Sequence, residues 1–122
     1  MTDYPLDIKV ASSTITKTGR VGFNEVVIVD SPPPAGVLLV GIDRHAGLYV
    51  WLASQETINE HAKTHHGTYS KRIGSFPISD PPGYIGRPVF IDKAKIPDDL
   101  WDEILKKKTR ALQAAVARVF GL

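Results

Sequence analysis

Cysteine is absent from the 122 residues, which excludes disulfides, thiolate metal sites and thiol nucleophiles. No apolar run approaches the roughly 20 residues that a membrane-spanning helix needs. Met1-Thr2-Asp3-Tyr4-Pro5 has no basic head followed by an apolar stretch, so no signal peptide is expected, and a cytoplasmic location follows by elimination. Neither sign of charge dominates: the net charge is +2, too small to imply a polyanion or a membrane surface by itself. A Gly-x-Ser-x-Gly elbow is missing. Gly83-Tyr84-Ile85-Gly86-Arg87 lacks both the spacing and the terminal Lys-Ser/Thr of a phosphate loop. What remains is a soluble-protein composition, 43% hydrophobic and 23% charged, in a chain long enough for one core. A single domain over 1–122 is expected.

Hydrophobic patterning sets the elements. Residues 6–12 alternate as a strand, and Val21 opens another that runs on through Val29. Ser31-Pro32-Pro33-Pro34 must interrupt it, since successive prolines donate no ladder hydrogen bonds. Val37 to Ile42 is continuously apolar, the mark of a strand covered on both faces. After the turn Arg44-His45-Ala46-Gly47, the segment Leu48 to Ala53 returns as its hairpin partner, with Leu48, Val50 and Leu52 on one face and Tyr49 and Trp51 on the other. Ser54 is a good N-cap for a middle helix reaching Thr64 or His65. Short strands are expected over 72–78 and 89–91, with an irregular loop across 80–88. Pro97 and the acids Asp98, Asp99, Asp102 and Glu103 open a C-terminal helix over 98–120, whose apolar stripe includes Leu100, Trp101, Ile104, Leu105, Leu112 and Val116. The fold class is therefore α+β: one mixed or antiparallel sheet of four to six strands against a long C-terminal helix and a short middle helix.

Charge is uneven along the chain. From Glu60 onward eleven Lys/Arg stand against seven Asp/Glu, and before it four against six, so the later half is the one that could lie along a polyanion. Arg20, Lys71, Arg72 and Arg87 are candidates for phosphate contact, and Tyr84 for stacking on a base. The plainer reading makes the lysines a solvated face and the 80–88 loop ordinary surface. His61 and His65, four apart, would share a helix face with His66 adjoining, a zinc-like spacing that lacks a third ligand. Polar capping of the helix end explains the same histidines. Trp51 and Trp101 read as core.

One motif points to a reaction. Asp7 and Lys9 fall on the same face of the first strand, with Leu6, Ile8 and Val10 on the reverse. A carboxylate can fix Mg²⁺ while an ammonium beside it orients water or offsets phosphorane charge. With the Gly19-Arg20 turn and the strands that follow, this arrangement resembles the acid-x-lysine strand of the PD-(D/E)xK nuclease superfamily. The resemblance implies a Mg²⁺-dependent endonuclease with Asp7 and Lys9 catalytic. The aspartate that usually comes from a preceding strand has no counterpart here, since Asp3 is too close to Asp7. Glu25, Asp30 or Asp43 is then the expected further metal ligand, unless a second chain or homodimer partner supplies it. The functional expectation is a small nuclease-like, nucleic-acid-associated protein, either active or catalytically incomplete. The alternative is a non-enzymatic regulator, inhibitor or oligomer-forming module with Asp7 and Lys9 on its surface.

Overall fold

Val37 to Ile42 has no polar side, and it forms the middle of the molecule. In the computed structural model, which describes residues 8–23, 26–27, 36–61, 63–64 and 70–120, this run lies in β4 (Gly36–Asp43). Preceding it are β1 (Ile8–Thr14), β2 (Arg20–Phe23) and β3 (Val26–Val27), and following it is β5 (Gly47–Ala53). Beyond these come α1 (Gln55–His61), β6 (Lys63–Thr64), β7 (Ser70–Arg72), β8 (Gly74–Pro77) and β9 (Val89–Asp92). A 3-10 turn (Lys93–Lys95) leads into α2 (Asp98–Leu105) and α3 (Thr109–Phe120).

The principal sheet has the order β1-β4-β5-β9. β4 and β5 pair as the expected hairpin, β9 adds antiparallel to β5, and β1 runs parallel to β4 with Ile8 opposite Gly36 and Thr14 opposite Ile42. Both faces are covered, as a continuous apolar strand requires. On one face Leu38, Val40, Ile42, Leu48, Val50 and Ile91 meet Trp101, Ile104, Leu112 and Val116 of the helices. On the other, Val37, Leu39 and Trp51 meet Val21, Phe23 and Phe76 of a β2-β8 ribbon, together with Ile58 of α1 and Ile85. Both tryptophans are core, as expected. The α+β class stands, and the principal sheet has four strands.

Four expectations about single elements are corrected. The C-terminal helix is two helices. A straight helix over 98–120 would be about 34 Å long, whereas a seven-residue strand spans about 23 Å, so one rod would overhang the sheet. Instead α2 stops in a Schellman-type turn: Lys107, at φ 58°, donates to the Ile104 carbonyl and Lys108 to that of Glu103. Both apolar stripes thereby reach the same sheet face.

The middle helix is also shorter than expected. Ser54 caps it, accepting the Thr57 N–H at 3.0 Å, but the helix ends at His61 and Lys63–Thr64 pair with Arg72 and Lys71. Cross-strand pairing outweighs the weak helix preference of Thr64 and its neighbours. The strand over 72–78 is divided, since β7 pairs with β3 and β6 while β8 pairs with β2. Gly74 at φ 88° re-aims the chain between them. Of the strand expected from Val21 to Val29, the described parts, β2 and β3, belong to different sheets.

Candidate functional site

β1 and β4 are parallel, so their carboxyl ends lie side by side. The ladder continues one bond past β1, where the Ile15 N–H donates to the Ile42 carbonyl at 2.9 Å. The two chains then leave in separate turns. After β1, Gly19 N–H closes a turn on the Thr16 carbonyl at 3.0 Å, and the Thr16 hydroxyl accepts from Arg20 N–H at 3.1 Å. After β4, the Asp43 carboxylate accepts the N–H groups of His45 and Ala46 at 3.0 and 3.1 Å.

Between these turns opens a cleft of about 440 Å³, lined by Ile15, Thr16, Lys17, Asp43, Arg44 and His45. Lys17, Arg44 and His45 are all exposed. Its lining thus includes an arginine, a lysine and a histidine, residue types whose N–H donors suit a phosphate or carboxylate. Asp43, the acid of the group, already receives two backbone donors through its Oδ1.

A second cavity, of about 570 Å³, adjoins the first and shares His45. Its other contributors include Phe90, Asp92, Lys93, Ile96 and Asp98. A backbone bond from Lys93 N–H to the Ala46 carbonyl, 2.9 Å long, clamps the 3-10 turn against the β4-β5 turn. The Asp92 carboxylate accepts from Ala94 N–H at 2.9 Å and caps that turn. Phe90 lies across from Tyr49, ring centroids 4.9 Å apart, and remains 44% exposed.

The residues singled out from sequence are distributed differently. Asp7, Glu25 and Asp30 lie outside the described residues, as do His65 and His66. Lys9 stands in β1 opposite Val37, and both flanks of this strand are packed, Val10 against the helix-side cluster and Ala11 against the other. Arg20 is tied across the ribbon, donating from Nε to Ser75 Oγ at 3.3 Å and from Nη2 to the Ser75 carbonyl at 3.1 Å. Lys71 pairs with Val26 and Thr64 in β7, and exposed Arg72 follows it. Ile73 N–H donates to the Phe23 carbonyl, which puts Arg72 at the ribbon end opposite Arg20.

Tyr84 stacks not on open solvent but on His61, with centroids 5.3 Å apart and planes 19° from parallel. Burial pushes its phenol above the ordinary value of 10.0. The 80–88 loop that carries it is irregular, as expected, and is pinned by Trp51 Nε1–H donating to the Gly86 carbonyl at 3.1 Å. Arg87 is exposed in the same loop. α1 ends at His61, and His65, expected to share its helical face, lies outside the described residues.

Among the described residues no three His, Asp or Glu side chains gather as a metal group, and Asp43 is engaged by its own turn. The other expected Mg²⁺ ligands, Asp7, Glu25 and Asp30, lie outside the described residues. Lys17, Arg44 and His45 escaped the sequence reading because the parallel register that brings two turns together leaves no local pattern. No protein family, curated protein or solved structure matches the chain.

Proposed function

We propose that the protein associates with nucleic acid by holding backbone phosphate in the cleft at the carboxyl ends of β1 and β4. The observation that carries this reading is that Lys17, Arg44 and His45, from two separate turns, line one cleft whose carboxylate has its Oδ1 engaged by backbone N–H groups. Binding of this kind is electrostatic, tolerant of sequence and sensitive to salt. Arg20, Arg72 and Arg87, exposed elsewhere, extend the contact without defining it.

The test is fluorescence anisotropy of labelled single- and double-stranded DNA and RNA across a salt series. Wild type should bind at low salt with affinity falling steeply as salt rises. Lys17→Ala/Arg44→Ala should weaken binding on all sequences alike and reduce the log–log salt slope by about two. Absence of binding at low salt, or an unchanged slope in the double variant, refutes the proposal in favour of an interaction module that takes no nucleic acid.

A further inference from the structure

Phe90 differs from the other phenylalanines whose surroundings are described. Phe23 and Phe76 are 3% and 5% exposed, whereas Phe90 is left 44% open at the wall of a cavity. Water against an aromatic face is unfavourable, and a flat ligand ring covering it would relieve that cost. The cavity's polar groups differ from those of its neighbour. The strand-end cleft offers Lys17 and Arg44 beside one carboxylate, Asp43, whose Oδ1 is taken by two backbone N–H groups, while the Phe90 cavity offers the carboxylates of Asp92 and Asp98 beside a single Lys93.

One Oδ of Asp92 is engaged as a cap, and Asp98 is exposed at the first residue of α2. Carboxylates repel an anion and accept hydrogen bonds from hydroxyl or amino groups. A ligand matching both cavities has an anion at one end, and at the other an aromatic ring with hydroxyl or amino donors. His45 lies in the wall common to both.

From this pairing we infer that the two cavities form one bipartite site for a nucleoside monophosphate unit. The phosphate lies between Lys17 and Arg44, the base covers Phe90, and Asp98 accepts from the sugar hydroxyls or an exocyclic amine. His45 donates from the shared wall toward the phosphate side. The inference rests on the phosphate reading of the strand-end cleft and adds the second half of the ligand. The unit arrives either as a free mononucleotide or as the phosphorylated end of a nucleic-acid strand, and the chemistry of the site is the same for both.

The experiment follows backbone amide shifts and affinity by NMR on titration with AMP, adenosine, ribose 5-phosphate, inorganic phosphate and a 5′-phosphorylated trinucleotide. AMP should shift residues 16–17, 44–46 and 90–98 together and bind at least about tenfold tighter than adenosine or phosphate alone. Phe90→Leu, which keeps apolar bulk but removes the ring, should weaken AMP by about tenfold and leave inorganic phosphate unchanged. Phe90→Trp should retain AMP. Tighter binding of AMP than of the trinucleotide identifies the free mononucleotide, and the reverse order identifies the strand end.

AMP shifts confined to residues 16–17 and 44–46, or equal AMP binding by wild type and Phe90→Leu, overturn the bipartite site while leaving the phosphate cleft in place. Failure of every phosphate-bearing ligand to shift residues 16–17 and 44–46 overturns both readings.

Discussion

Gly47 opens β5 at φ 151°, where a Cβ would sit 2.1 Å from the Ile91 carbonyl oxygen of β9 and 2.9 Å from the backbone N of Lys93 at the start of the 3-10 turn. No rotamer change relieves such a clash, so the edge strand itself must shift. Gly47→Ala should lower stability by about 3 kcal/mol or more, read by chemical denaturation. Lys107 presents the opposite case. It is the non-glycine residue with positive φ among the described residues, and nothing about its exposed side chain requires lysine for the turn. The left-handed conformation costs a lysine about 1–2 kcal/mol, against about 0.4–1 kcal/mol of extra unfolded-chain freedom gained by glycine. Lys107→Gly should therefore raise stability by about 0.5–1 kcal/mol, and an unchanged or lower melting temperature would count against this view of the turn.

The turn between α2 and α3 shows how local charge acts on an element. Lys108 Nζ lies 2.7 Å from Glu103 Oε2, and this hydrogen bond, aided by the charges of Lys108 and Lys106, holds the Glu103 carboxyl below its ordinary 4.5. A lowered folded value means the contribution is present above the ordinary carboxylate range and is lost as pH falls through the folded value. The pair is solvent-exposed, so its share of stability is small and screened by salt. Lys108→Met should raise the Glu103 midpoint in an NMR titration and flatten the acid limb of stability. An unmoved midpoint would show that the contact is not maintained in solution.

The same turn marks where the sequence stopped being legible. The apolar stripe from Leu100 to Val116 keeps helical spacing through Lys106–Lys108, so periodicity alone reports one helix. No glycine or proline signals the stop, because lysine occupies the left-handed position. The β4-β5 hairpin was legible because its pattern and its turn are adjacent in sequence. The Lys17–Arg44–His45 cleft was not, since it depends on β1 choosing β4 as a parallel neighbour across two intervening strands. Of the acid-x-lysine motif, the structure adds the strand that holds Lys9 and the packing of Val10 and Ala11 on its two flanks.

Across the whole molecule, the helices close one face of the sheet and the ribbon the other. Leu112 is fully buried in the helix-side cluster, whereas Leu105 is half-buried at its border. A carboxylate at either position meets apolar neighbours, but only at Leu112 is solvent wholly excluded. Leu112→Asp should cost more than about 3 kcal/mol, and Leu105→Asp distinctly less. Equal losses in thermal denaturation would show that the two helices do not divide the burial as described. Among the described residues no helix is long and apolar enough to cross a membrane.

The parallel pairing of β1 with β4 also constrains what happens during synthesis. As the chain leaves the ribosome, β1 emerges before the strand it must join, and it waits through β2 and β3 for its partner. The hairpin of β4 and β5, with Asp43 facing Gly47, is the most local of the long pairings and can form as soon as Ala53 is out. Docking of β1 then gives three of the four strands, with β9 still to come, and their helix-facing side chains, from Leu38 to Val50, have nothing to cover them until α2 and α3 are made. The period in which residues 54–116 are translated is thus the one in which the nascent chain is most exposed to aggregation and most in need of a chaperone.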